Sequence, residues 1–210
     1  QTFTGGTRIE AGTLTLGTAN TLAPTGPITA AGGTLNLGNY PQQVGAVTLQ
    51  GGTISGGTNG ILLPTSLALQ SGTISAPTFT GTVNKTTNGI ATLNAPISAA
   101  ALNVNAGTLV LNQGATAAVQ VNAGTLDLTG NVLGSLTSAP GSSIVLSGAT
   151  LVSGPATIAG SLTVGSSTFV NDSNQPLVVG NVSLDRGTIV ASQLDVTGTF
   201  AGGGLVAGPV

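Results

Sequence analysis

The chain has 210 residues, of which 34 are glycine, and only 4% are charged, giving a net charge of −2. Three basic residues cannot neutralise a row of phosphates, so nucleic acid is not an expected partner. The sequence has no Cys for disulfides or thiolate metal sites, and no His to serve as a general base or metal ligand. We therefore expect no catalytic residues, no cofactor and no bound metal.

A short phrase recurs from the first residues onward, in which apolar and polar residues alternate on both sides of a Gly-Thr pair. Its template is Φ-x-Φ-x-x-G-T-Φ, where Φ is apolar, and ten copies can be placed at spacings of 16 to 25 residues. Alternation with a period of two predicts strands, and Gly between them predicts a sharp corner. The copies begin at Thr7, Ile28, Val47, Leu67, Val83, Leu102, Val119, Ile144, Leu162 and Val182.

The part of each copy outside the template holds a third apolar cluster and eight of the ten prolines. Pro lacks the donor that a central strand must offer, so this part holds the turns. Two strands, a corner and a third side make one coil of a parallel β-helix, and strand crossovers in parallel sheets are almost always right-handed. The sequence therefore predicts an all-β, right-handed, three-sided parallel β-helix (β-solenoid) of about ten coils of roughly 19–20 residues.

We expect a single β-solenoid domain over residues 1–210, with residues 194–210 forming a partial last coil or a terminal segment. No apolar run approaches the roughly 18 residues that a transmembrane helix needs, so no transmembrane segment is expected. A β-sandwich of short strands is the alternative fold, but it does not explain why the same residues recur at one spacing.

Two copies depart from the template. The fifth places Lys85 at an apolar position, which indicates either a slip of register with Lys85 on a loop or a local break in the rod with a surface role. The longest spacing, 25 residues, follows Val119, so we expect residues 130–143 to bulge outward.

The template also predicts a row of threonines along one side of the rod. We interpret this row as a structural ladder, because β-branched side chains suit strands and stack well beside a glycine corner. The sequence offers no other candidate site residues. The ladder consists of Thr13, Thr34, Thr53, Thr73, Thr108, Thr125, Thr150, Thr168 and Thr188.

The segment F-T-G-G-T-R-I-E-A-G-T-L-T-L-G at residues 3–17 resembles the autotransporter-associated β-strand repeat, also called the passenger-associated transport repeat. The usual form of that repeat is roughly T-G-G-T-T-I-N-A-G-T-L-x-L-G, so Arg8 and Glu10 are small departures from it. Residues 107–111 and 124–128 echo its second half. The resemblance implies a secreted or surface-displayed passenger-type β-helix of a bacterium, often adhesive or structural, and carries over no catalytic residue.

These observations favour a non-enzymatic structural β-solenoid, either extracellular or on a bacterial cell surface. We expect it to self-associate head-to-tail into a filament or surface appendage, because neither terminal coil shows a recognisable cap and an open sheet edge recruits further strands. The alternative is a surface adhesin or passenger module that binds a glycan or a host surface through its flank or through the 130–143 excursion.

Overall fold

The computed structural model describes residues 5–130 and 132–208, and gives only the backbone of Thr116 and Val132. Its regular structure over these residues consists of 23 strands, and no helix is found among them. The strands, in chain order, are β1 Thr7–Ile9, β2 Thr13–Thr15, β3 Ile28–Ala30, β4 Thr34–Asn36, β5 Gln42–Val44, β6 Val47–Ser55, β7 Leu62–Pro64, β8 Leu67–Ser75, β9 Thr78–Lys85, β10 Ile90–Leu93, β11 Ile97–Val104, β12 Thr108–Leu111, β13 Ala115–Val121, β14 Thr125–Leu128, β15 Val132–Leu133, β16 Ser135–Ser138, β17 Ser143–Leu146, β18 Thr150–Val152, β19 Ala156–Val164, β20 Thr168–Asn171, β21 Leu177–Val190, β22 Leu194–Val196 and β23 Phe200–Ala207.

The strands stack in parallel into a three-sided β-solenoid of about ten turns, as the sequence predicts. The first side begins with β1, the second with β2 and the third with β5, and each strand pairs with the equivalent strand one turn later. Longer strands such as β6 and β21 run across a corner and contribute to more than one side. We call residues joined by successive register pairs a column.

Alternate residues of each strand point into the rod and form its core. On the first side, Ile28, Val47 and Leu67 are successive partners in one column, and each is at most 1% exposed. Burial of each such side chain stabilises the fold by about 1.5–3 kcal/mol. Because a turn buries its apolar residues against the turns beside it, stability is largely a sum over neighbouring turns.

The first seven template copies are aligned correctly, since their starting residues from Thr7 to Val119 are successive partners on the first side. The last three copies are wrong in phase. Val119 pairs with Leu136, whereas Ile144 pairs with Leu126 on the second side. The two sides share the same alternation of apolar and polar residues. Because no Gly-Thr corner follows the first-side strand at residues 135–138, the template matched the second side from Ile144 onward.

The expected excursion at residues 130–143 is also wrong. β15 stacks on the third side against β18, and β16 stacks on the first side between β13 and β19. The 25-residue spacing is one turn of 17 residues followed by the eight residues that separate Leu136 from Ile144. Only a tight turn at residues 139–142 remains, in which the Ser142 amide donates to the Ala139 carbonyl at 3.2 Å.

Residues 194–207 contain the last two described strands. β22 stacks on the first side, and β23 crosses the second and third sides in register with β21. Strands of this segment therefore lie on all three sides of the rod.

Candidate functional site

The nine threonines do not lie in one row. Thr13, Thr34, Thr53 and Thr73 are successive partners on the second side. The column continues from Thr73 to Thr92, so the four residues form a continuous short ladder.

The other five threonines fall outside that column. Thr108 and Thr125 pair with each other on the second side, but Thr108 is in register with Ile90, two positions away from Thr92. Thr168 and Thr188 pair on the third side, where Thr150 lies opposite Phe169. The template's phase error after Val119 accounts for the placement of the last three.

Amide ladders accompany the threonines on the outer surface. The Asn103 side chain donates to Asn84 Oδ1 at 3.0 Å, and the Asn122 side chain donates to Asn105 Oδ1 at 2.8 Å. Both bonds run between neighbouring turns, as in stacked-strand assemblies. They tie one turn to the next without placing like charges close together.

Lys85 is placed differently from both sequence interpretations. Its register partners are Leu69 and Val104, so it occupies an inward column and is 0% exposed. The turn is neither slipped nor broken. The amine donates to the carbonyl oxygens of Thr87 and Ala106, the latter at 3.2 Å. Burial lowers the pKa of the Lys85 amine below its ordinary value of 10.5, because desolvation disfavours the charged form.

The acidic residues are dispersed over the surface. Asp185 forms an exposed ion pair with the neighbouring Arg186 at 3.4 Å, and Asp127 accepts a bond from Ser147 at 2.9 Å. Within residues 5–130 and 132–208, no group of three or more His, Cys, Asp or Glu side chains could hold a metal ion. The same ranges contain no helix long and apolar enough to span a membrane.

The most distinctive surfaces lie at the two ends of the described rod. At the N-terminal end, β1 and β2 each pair with a strand of the second turn, and no other described strand pairs with them. An open hollow of about 560 Å³ is lined here by residues 7–11, 13 and 14. The Arg8 side chain donates to Glu10 at 2.9 Å and to Gln50 at 3.1 Å on the outer surface.

The C-terminal end exposes apolar side chains. Phe200 continues the column of Val182, which is 2% exposed, yet Phe200 itself is 44% exposed. Leu205 is 60% exposed on the third side. Asp195, in the middle of β22, accepts a bond from Gln193 at 2.6 Å. Among the described strands, β22 and β23 pair only with β21, so each has one unpaired edge.

We take these two ends of the described rod as the candidate functional site, because each has strand edges that no other described strand pairs with, beside partly exposed apolar groups. Open edges of this kind are templates for the addition of further strands. Comparison of the chain with protein-family models, with curated proteins and with solved structures found no match in any of the three.

Proposed function

We propose that the chain is a non-enzymatic, extracellular structural β-solenoid that associates head-to-tail into a filament or surface appendage. The observation that carries the proposal is the exposure of Phe200 in a column whose two preceding members, Leu162 and Val182, are buried. A further turn laid on β22 and β23 would cover this ring and pair the strand edges. β1 and β2 of a second 210-residue copy are the strands that would form this further turn.

The geometry of such a contact favours open polymers. A head-to-tail contact uses different surfaces on the two copies, and it generates a filament when the rotation does not close a ring. A rod whose turns all stack along one axis adds each copy along that same axis. The result is an extension of the rod by about 50 Å per copy, given about ten turns at roughly 4.8 Å each.

The proposed location outside a bacterial cell, as a relative of passenger-type β-helices, rests on the resemblance of residues 3–17. That segment spans β1, the corner and β2, and so comprises one strand–corner–strand unit of the solenoid. The absence of Cys and the scarcity of Lys and Arg, which limits tryptic sites to three, suit an exposed extracellular rod.

Negative-stain electron microscopy of the purified 210-residue chain across a dilution series tests the proposal. We expect filaments of uniform width that shorten on dilution, and a matching loss of fast-sedimenting species in the ultracentrifuge. Isolated rods about 50 Å long at every concentration, with a monomer that does not depend on dilution, would reject self-association.

A surface adhesin is the second candidate function, and an apolar patch on the third side favours it. Phe79 is 49% exposed and Leu63 is 37% exposed on adjacent turns, where β7 stacks against β9. Exposed apolar patches mark binding surfaces. An adhesin that uses this flank should lose glycan or host-cell binding in Phe79→Ser while retaining its assembly state, and unchanged binding would exclude the patch.

A further inference from the structure

The two ends of the rod carry opposite charges at the same place on its circumference. An unbroken series of register pairs along the first side leads from Arg8 in β1 to Asp195 in β22. All residues between them in this column are uncharged. A second copy added in the register that continues the column would therefore bring Arg8 opposite Asp195.

The inward columns of the second side are complementary in size. One of them ends in Phe200, after Val182, and the other ends in Gly202, after Leu184. A Cβ at Gly202 would lie 1.8 Å from the Leu184 carbonyl oxygen, so this level holds no side chain.

The N-terminal end has the reverse arrangement. Leu14 begins the column that ends in Gly202, since Leu14 pairs with Leu35 and the series continues turn by turn to Leu184. Gly12 lies two residues earlier. The register of Thr13, Thr34, Thr53 and Thr73, carried back by one residue, aligns Gly12 with Gly72, which pairs with Ala91 in the column that ends in Phe200. A Cβ at Gly12 would meet nothing within 4 Å. The large Phe200 side chain at the C-terminal end therefore corresponds to the open space beside Gly12 at the N-terminal end.

We propose that one copy docks on the next in the register that continues these columns. Leu194–Val196 then pairs in parallel beside Thr7–Ile9, and Asp195 faces Arg8. Phe200 seats at the open level of Gly12, while Leu14 fills the level of Gly202. This junction rests on the proposed head-to-tail function and specifies its partner as a second copy of this chain.

The proposed register brings no like charges together across the junction. Arg8 carries five N–H donors, so it can retain Glu10 while it exchanges the neutral Gln50 amide for the Asp195 carboxylate. Glu10, one residue after Ile9, faces the neutral Thr197 in the same register, because Val196 is the column equivalent of Ile9. A shift by one residue would remove the Arg8–Asp195 pair and place Phe200 beside Ala11 or Thr13 of the second copy instead of Gly12.

Charge reversal tests the junction. Arg8→Asp and Asp195→Arg each place like charges across it, and each should raise the dissociation constant of the junction about fivefold at low salt. The double variant should return to within about twofold of wild type. The two single variants, mixed in equal amounts, should also recover, because every junction between unlike copies then pairs opposite charges. Asp172→Arg, an exposed acid outside this column, is the matched control and should leave assembly unchanged.

The size match is tested separately. Gly12→Leu fills the proposed seat of Phe200 and should reduce assembly at least tenfold, whereas Gly141→Leu should not. The two glycines have similar positive φ values, 71° and 81°, and open space at the Cβ, so their folding costs are comparable. Wild-type filaments with no response to either test would overturn this register and leave the proposed function standing. Wild-type chains that form no filaments would overturn both.

Discussion

At the scale of single residues, Lys85 is the clearest exception in this core, because it is a basic residue in an inward column. Its column neighbours are Leu69 and Val104, and its amine is bonded to two carbonyl oxygens instead of a carboxylate. A buried charge without an opposite charge is costly unless hydrogen bonds offset the loss of hydration. The lowered pKa of Lys85 is the measurable consequence of that cost.

The pKa of Lys85 predicts a pH-dependent stability. The unfolded chain binds a proton on Lys85 more tightly than the folded chain, so the free energy of unfolding should rise with pH from the folded pKa up to 10.5. The rise is at most about 1.4 kcal/mol per pH unit. Urea unfolding at pH 7 to 10 should show this slope in the wild type and not in Lys85→Met. Equal slopes in both would mean that the amine is hydrated in the folded state.

At the scale of elements, alternation identified the sides of the rod but did not fix their phase throughout. The first seven copies aligned because a Gly-Thr corner follows the first side in most of them. The eighth first-side strand, β16, carries Ser138 where an apolar residue is usual, and the template passed over it. Ser138 is buried, and its hydroxyl accepts a bond from the Gly160 amide at 3.3 Å.

The candidate site was harder to predict from the sequence than the fold was. Open ends were expected, but the correspondence of Arg8 with Asp195 requires every register pair along the first side. One of these pairings joins Val119 to Leu136, where the template misaligned the chain. The burial of Lys85 was equally hard to predict, because its two hydrogen-bond partners are backbone carbonyl oxygens, which any residue type can supply.

A pair of adjacent residues in β17 tests the corrected phase. Ile144 is 0% exposed and lies between Leu126 and Leu162, whereas Val145 points outward. Ile144→Ala should lower the free energy of unfolding by about 2–5 kcal/mol, and Val145→Ala by less than about 1 kcal/mol. Denaturant unfolding measures both, and similar costs for the two would contradict the assigned facing of the strand.

Hydrogen exchange of the same Ile144→Ala variant should show how far the damage spreads. Because each turn contacts mainly its neighbours, faster exchange is expected in β14, β17 and the second half of β19, and little change in β1 to β4. Uniform acceleration along the whole rod would instead indicate a single cooperative unit.

At the scale of the whole molecule, the rod is polar. All of its described strand pairings are parallel, so its two ends present different surfaces. Because the stability of a solenoid is largely a sum over neighbouring turns, we expect a substitution at one end to leave the other end unchanged. In the proposed filament, a copy with a defective N-terminal end would still dock its C-terminal turn on the growing end. It would then offer no surface at its own N-terminal end on which the next copy could dock.

Leu14→Asp should therefore act as a chain terminator. Leu14 is half-buried in the first described turn, so a carboxylate there should spare most of the fold while placing a charge in the proposed junction. One variant copy among twenty wild-type copies should limit filaments to about twenty copies, because each variant blocks one growing end. Thr137→Asp, an exposed position in the middle of the rod, is the control and should leave filament length unchanged. Filament lengths measured by electron microscopy decide the matter: full-length filaments that incorporate Leu14→Asp would mean that growth does not pass through this end.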